Sequence, residues 1–383
     1  MPVESTRNEL LHPGTVSYLL LLLLLTFFTL IGAYCAYQLE HTGHIISGMN
    51  NRVVWGLPHV FAISLVVAAS GALNTATLAS VIGQQRYKPL AGLSVVLAIS
   101  LLLGGLAVLV LDLGRPDRLF IAMTTYNFRS IFSWNIFLYI GFIVVGLVYL
   151  WVMLERRLNR FTKSVGVFAL LWRIVLTTGT GSIFGLLVGH SALAATILAL
   201  LFIALSFVLG TAAFGLVLVL VNRLQGASLS DDLLRSLARV LIGCTVALLF
   251  ISMVQHFTNP YVSGPFSALF WLGHIGVGIT LPIVLLVANR TADQFKINRL
   301  SWACASALLG GMALVYVIVV GLQTPPRVLF PGKTIIASSF GDAGNASYQA
   351  TIWEWGIGLG GISLSLLLFF LILRVLPLTP RSS

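Results

Sequence analysis

Asp112 and His59 are the two side chains whose type and setting best suit the movement of a proton. Asp112 closes an apolar run that leads in from Leu90 and sits in the stretch Leu111-Asp112-Leu113-Gly114-Arg115-Pro116-Asp117-Arg118. A carboxylate at the end of so apolar a segment is costly to desolvate, so it is kept for a reason. Two readings stand. It could exchange protons with a quinol or feed a proton path, or it could pair with Arg115 or Arg118 and anchor a turn. His59 follows Trp55-Gly56-Leu57-Pro58, where Pro58 suits the first turn of a helix. An imidazole there can donate a hydrogen bond to a quinone carbonyl and change charge near neutral pH. A capping or snorkelling histidine is the alternative, as an interfacial aromatic belt is for Trp55.

Five charges fall between Asp112 and Arg129 in a chain with only 9% charged residues. Pro116 makes the stretch a turn after a helix. Arg115, Asp117, Arg118 and Arg129 read either as an ion-pair knot that builds this turn or as direct ligand contacts. Two further charged or ionisable groups, Arg173 and His274, fall inside apolar runs, where each is a functional-site candidate by default. No partner for Arg173 is evident from the sequence.

Cysteine and histidine spacing limit the cofactors. Cys35, Cys244 and Cys304 lie far apart with no CxxC pair, so no iron–sulfur cluster is expected. They read as small apolar core residues. A b-type haem needs two facing histidines. His59 with His256 is the one arrangement worth weighing, and no two histidines share a helix at the pitch of stacked haems. No metal site is expected.

These residues need an apolar scaffold, and the composition supplies one. The 383 residues are 58% hydrophobic, with a mean hydropathy of +1.00. A spanning helix takes roughly 20 mostly apolar residues. Ten such runs are present, at 16–38, 57–82, 90–112, 131–154, 165–187, 192–221, 234–256, 265–288, 299–322 and 352–374. Lipid leaves helices as the way to satisfy their backbones. The chain therefore reads as a single all-α integral membrane domain. The first run has no strongly basic leader and no clear cleavage site, so it reads as a retained helix.

The net charge of +11 does not point to nucleic acid, because the bases sit in short loops between runs. If both termini share one side, that side holds fifteen Lys and Arg against six opposite. This bias places the termini in the cytoplasm and the Asp112–Arg129 cluster on the outer face. Loops on that face are also the richer ones: residues 40–56, 114–130, Gly189-His190, 256–264 and 323–351. The last is the longest and suits docking of a partner protein.

Four stretches carry a family resemblance: Val54-Trp55-Gly56-Leu57-Pro58-His59-Val60-Phe61, Leu113 to Arg118, Asn127-Phe128-Arg129-Ser130, and Trp353-Glu354 opening the last span. Leu308-Leu309-Gly310 in span nine also fits. The chain resembles the NrfD/PsrC family of quinone-reactive membrane subunits, in its ten-helix HybB/DsrP-like branch, and is most similar to the DsrP type. The resemblance implies two four-helix bundles, spans 2–5 and 6–9, plus flanking helices. It implies a quinone, menaquinone or ubiquinone, bound near the outer surface of the first bundle, with no haem or cluster in this chain. It places His59 and Asp112 in catalysis, with Arg115, Trp55 and Tyr126 against the quinone. It implies a periplasmic-side ferredoxin-like iron–sulfur subunit. Further partners of the DsrP type are a multihaem cytochrome c and a membrane cytochrome b with a cytoplasmic reductase. The setting implied is the bacterial inner membrane, in dissimilatory sulfur metabolism. One departure stands out: where many members carry His-Gln-Ser in the fifth helix, this chain has Thr178-Gly179-Thr180-Gly181-Ser182.

The function expected is therefore exchange of electrons between quinone and an attached subunit, with no complete active site for a terminal substrate here. The competing classes are a secondary transporter or proton-translocating channel-like subunit, and a haem-bearing or bare anchor. A transporter would show an unwound helix in mid-membrane.

Overall fold

A computed structural model describes residues 10–11, 15–187, 192–226, 229–258, 266–290, 295–326 and 344–379. His12, His190 and most of the 323–351 loop lie outside them. Among the described residues, ten helices are long and apolar enough to cross a membrane, and no strand forms. Helix α1 covers Thr15–Thr42, α2 Leu57–Ala72, α3 Asn74–Ser80, α4 Ala91–Leu111, α5 Leu119–Thr124, α6 Ile131–Leu154, α7 Thr162–Leu187, α8 Ala192–Gln225 and α9 Asp231–Thr258. Then come α10 at Leu281–Arg290, α11 at Ile297–Val319 and α12 at Ile352–Val375. The sequence boundaries agree with these ends to within a few residues.

The spans pack as two groups. Helices α2/α3, α4, α6 and α7 form one, and α8 to α11 the other, joined where α8 meets α2 and α7. Helix α12 lies on α2 and α4, and α1 lies on α12. Glycines let these helices touch. A Cβ on Gly210 of α8 would fall 1.9 Å from the Gly71 carbonyl carbon of α2. A Cβ on Gly105 of α4 would fall 3.0 Å from the Ala62 carbonyl oxygen of α2. Close backbone approach of this kind is how helices pack tightly where lipid gives no hydrophobic drive.

Two spans depart from the single regular helix expected of them. Span two breaks at Leu73, between α2 and α3. The break stays right-handed, with Leu73 at φ −67° and ψ −3°, so it is a kink and not an unwound segment. Ser94 of α4 splices it: its hydroxyl donates to Ala72 O at 2.6 Å and accepts from the Ala76 N–H at 3.2 Å. Broken backbone is tolerated at this depth only where protein satisfies it. Span eight begins as a π-helix over Leu269–Thr280. Its wide turns bring Gly278 onto Gly310, where an added Cβ would meet the Gly310 Cα at 2.6 Å. A π-segment of that length is rare, and the apolar pattern of the run gives no sign of it.

Candidate functional site

His59 and Asp112 meet because α2 and α4 run antiparallel and close. The Ala62–Gly105 contact sets their spacing, and His59 is three residues before Ala62 while Asp112 is seven after Gly105. His59 Nδ1 lies 2.7 Å from Asp112 Oδ2. The Asp112 side chain is 1% exposed and that of His59 17%. Asp112 thus pairs with a histidine from another helix and not with Arg115 or Arg118. Neither Asp112 oxygen nor His59 Nδ1 makes a geometrically formed hydrogen bond among the described residues, so the contact is a close approach of a carboxylate and an imidazole. With Nδ1 facing Asp112, Nε2 is the nitrogen His59 leaves for a ligand.

Trp55 completes the core of the site. Its ring stacks on His59 at 6.0 Å between centroids and meets Phe184 edge-on at 5.5 Å and Phe132 at 6.3 Å. Its backbone is gripped by Gln323, just after α11. Gln323 Oε1 accepts from the Val54 and Trp55 N–H groups at 2.9 and 3.2 Å, and Nε2 donates to Trp55 O at 3.0 Å.

A second brace holds the start of α2. The Tyr348 hydroxyl accepts from the Leu57 N–H at 2.6 Å and donates to Glu354 Oε1 at 2.7 Å. Glu354 is fully buried, and its Oε2 accepts from the Gly48 and Thr351 N–H groups, which caps α12. Burial and the Glu354 charge push the Tyr348 phenol above its ordinary value. Gly56 is required here: a Cβ would come within 2.5 Å of Glu354 Oε1.

The remaining motif residues lie apart from this centre. Arg115 pairs with Asp117 in the open, with Nε 3.3 Å from Oδ1. That hydrogen bond holds the Asp117 carboxyl below its ordinary value. The Arg118 N–H closes the turn onto Arg115 O at 3.0 Å. The His44 ring packs against Gly114. Tyr126 joins an outer aromatic group, with its ring 4.4 Å from that of Phe137 and 6.0 Å from Phe128. The motif is therefore divided: Asp112 faces inward to His59, and the rest forms an exposed turn.

Arg173 and His274 are both buried and both have neutral partners. Arg173 Nη1 donates to Asn74 Oδ1 at 2.6 Å and Ser70 O at 2.9 Å, with the guanidinium over the Phe207 ring at 4.9 Å. His274 sits between Ser252 Oγ, 2.9 Å from Nε2, and Gly310 O, 3.2 Å from Nδ1. His256, weighed as a haem partner of His59, stacks instead on Phe270 at 4.7 Å.

Sequence reading passed over Gln323, Tyr348, Phe132, Phe184 and Asn135. Asn135 lies one turn below Phe132, is buried, and has no partner for Oδ1 among the described residues. A Cβ on Gly179, in the Thr178–Ser182 stretch of α7, would lie 3.3 Å from that oxygen. Only a lone polar residue in an apolar run could have signalled Asn135. Among the described residues, no group of three His, Cys, Asp or Glu side chains could hold a metal ion.

Ten apolar helices, with an imidazole facing a buried carboxylate at one helix boundary, define a polytopic membrane protein with a candidate site near one membrane face. The chain belongs to the NrfD family, described as polysulphide reductase, NrfD, which matches residues 46–326. It is similar over its whole length to the Hdr-like menaquinol oxidoreductase integral membrane subunit of Archaeoglobus fulgidus, at 26% identity over 403 residues covering 98% of that protein. It is 27% identical to a putative dimethyl sulfoxide reductase membrane subunit of Halobacterium salinarum, over 91% of this protein and 88% of that one. A relative from Wolinella succinogenes, a component of polysulfide reductase, is 26% identical over 72% of this protein and 96% of its own length.

Proposed function

We propose that this chain is the quinone-reactive membrane subunit of a respiratory electron-transfer complex. It exchanges electrons between a membrane quinone pool, menaquinone or ubiquinone, and a ferredoxin-like iron–sulfur subunit docked on the His59 face, within dissimilatory sulfur metabolism. The observation that carries the reading is the 2.7 Å contact of His59 with the buried Asp112 inside the family-matched region. The names of the relatives, a menaquinol oxidoreductase subunit and a polysulfide reductase component, support the quinone and the sulfur link. The excess of Lys and Arg on the side of both termini supports a cytoplasmic position for them and an outer position for the site, in a bacterial cytoplasmic membrane.

The side chains present fit such a ligand. Nε2 of His59 is the nitrogen left to hydrogen-bond a quinone oxygen, and the Trp55 indole provides a flat wall beside it. A bound quinone supplies a two-electron, two-proton couple. His59 takes or returns a proton at Nε2. Asp112, held 2.7 Å from Nδ1, steadies the imidazolium that results and fixes the ring. Its free Oδ1 is the place where a proton can leave the pair.

The test is Asp112→Asn in the purified complex. Turnover with quinol or quinone should fall about 100-fold, the scale of a lost acid–base group, while the subunits still co-purify. Unchanged turnover in an assembled complex overturns the proposal.

A further inference from the structure

At the far ends of α9 and α10 from His59 there is a basic pocket that the electron-transfer reading does not use. It encloses about 280 Å³ and is lined by Asp232, Arg235, Arg239 and Arg290 over a floor that includes Ile242, Leu286 and Phe295. Successive spans alternate in direction, so this pocket opens at the membrane surface on the side of both termini. In sequence, the ends of these helices and of α11 carry Arg235, Arg239, Arg290, Lys296 and Arg299 against Asp231, Asp232 and Asp293.

The arginines differ in how far they are committed. Arg235 is tied down: Nη1 donates to Arg290 O at 3.1 Å, Nη2 lies 3.9 Å from Asp231 Oδ2, and the guanidinium sits 5.7 Å from the Phe295 ring centroid. Arg239 Nε reaches only the Arg235 carbonyl, at 3.4 Å. Neither Arg239 nor Arg290 has a carboxylate within ion-pair distance among the described residues. Two exposed guanidiniums therefore flank one pocket, with Asp232 in its lining but no carboxylate within ion-pair distance of either among the described residues. Below them runs an apolar lane. On α9, Ile242, Val246 and Phe250 follow Arg239 at helical spacing, and Val246 and Phe250 are exposed. On α10, Val287 lies one turn before Arg290 and is also exposed.

We propose that this pocket binds the phosphodiester headgroup of an anionic phospholipid, with an acyl chain along the Ile242–Phe250 face. Arginine suits phosphate because its planar fork gives paired donors. Basic pockets between spanning helices at the surface are a recognised setting for acidic headgroups. The lane of exposed apolar side chains leading away from the arginines favours a lipid over a free phosphate, which would leave it unused. Asp232 at the rim can accept from headgroup hydroxyls, and the excess of arginine favours a lipid with net negative charge over a zwitterion.

The test is thermal unfolding of the full chain in neutral detergent, titrated separately with phosphatidylglycerol, phosphatidylcholine, phosphatidylethanolamine and inorganic phosphate. Phosphatidylglycerol should raise the midpoint saturably and the other three should not. Equal shifts with phosphatidylcholine or phosphatidylethanolamine overturn the anionic headgroup, and an equal shift with inorganic phosphate overturns the lipid. Each near-surface arginine contributes about fivefold in affinity. Arg239→Gln with Arg290→Gln should therefore weaken the phosphatidylglycerol response about 25-fold. Arg156→Gln with Arg157→Gln, on the same side but outside the pocket, should leave it unchanged. A normal response in the Arg239/Arg290 variant places the lipid elsewhere and overturns the site. Should that variant fail to fold, the four-ligand comparison on the unaltered chain, with Arg239→Lys and Arg290→Lys retaining the response, still decides the question.

Discussion

The Tyr348 hydroxyl stands between the Leu57 N–H, 2.6 Å away, and Glu354 Oε1, 2.7 Å away. One phenol thus joins the last long loop, the cap of α12 and the first turn of α2, two residues before His59. Tyr348→Phe leaves a backbone donor and a buried carboxylate oxygen each short of a partner, which should cost about 1–3 kcal/mol. The pH dependence has a definite sign. The folded phenol titrates above its ordinary value of 10.0. Its contribution is therefore fully present below pH 10.0 and is lost as pH rises beyond it. Thermal unfolding at a series of pH values should show a steeper alkaline decline in the unaltered chain than in Tyr348→Phe. Parallel curves would remove Tyr348 from this role.

Gln323 acts on Trp55 in the same way, through the backbone. Gln323→Ala removes three hydrogen bonds to Val54 and Trp55, each contributing about 1 kcal/mol. The expected result is faster amide exchange at Val54 and Trp55, with quinone-linked turnover reduced and the helices otherwise as protected as before. Unaltered exchange at these two amides would show that the loop is held by something else.

Much of this was legible in the sequence, and the boundary of legibility is physical. The ten spans could be read because each must bury its backbone in an apolar run of fixed minimum length. Asp112 and His59 stood out because a carboxylate and an imidazole are conspicuous at the ends of such runs. Their pairing was not legible: it depends on Gly105 meeting Ala62 across two helices, and a glycine in an apolar helix carries no label naming its neighbour. Arg115 shows the converse case. It shares a motif with Asp112, but Pro116 turns the chain outward, so adjacency in sequence becomes separation in space. Gln323 and Tyr348 were passed over because they act from loops more than 260 residues away from Trp55 and Leu57.

The Gly105 contact makes a prediction of its own. An added Cβ would sit 3.0 Å from Ala62 O and 3.1 Å from Leu65 Cβ, and the first is backbone that cannot rotate away. Gly105→Ala should push α2 and α4 apart by a few tenths of an ångström and loosen the His59–Asp112 contact. Errors of about 1 Å in placement can cost about 100-fold in rate, so turnover should fall several-fold while the complex still assembles. Gly243→Ala is the matched control, because nothing lies within 4 Å of its Cβ position. Equal turnover in the two variants would mean that the spacing of α2 and α4 does not govern the site.

Arg173 allows the sharpest test of a buried charge. Its Nη1 is held by Asn74 Oδ1 and Ser70 O at the kink in span two, and its Nε has no partner among the described residues. Asn74 is held in turn by Thr211 and the Phe207 carbonyl. Asn74→Ala removes the side-chain acceptor and leaves Nη1 the Ser70 carbonyl alone, which should cost about 1–3 kcal/mol. Arg173→Met combined with Asn74→Leu removes charge and acceptor together. Replacing both partners of a buried hydrogen bond by apolar groups of similar shape can be nearly neutral, so the double variant should unfold at a higher temperature than Asn74→Ala alone. The same double variant separates structure from function. If Arg173 serves only to splice the kink, quinone-linked turnover survives in the double variant. Loss of turnover in a chain of near-normal stability would instead give the charge itself a part in proton movement.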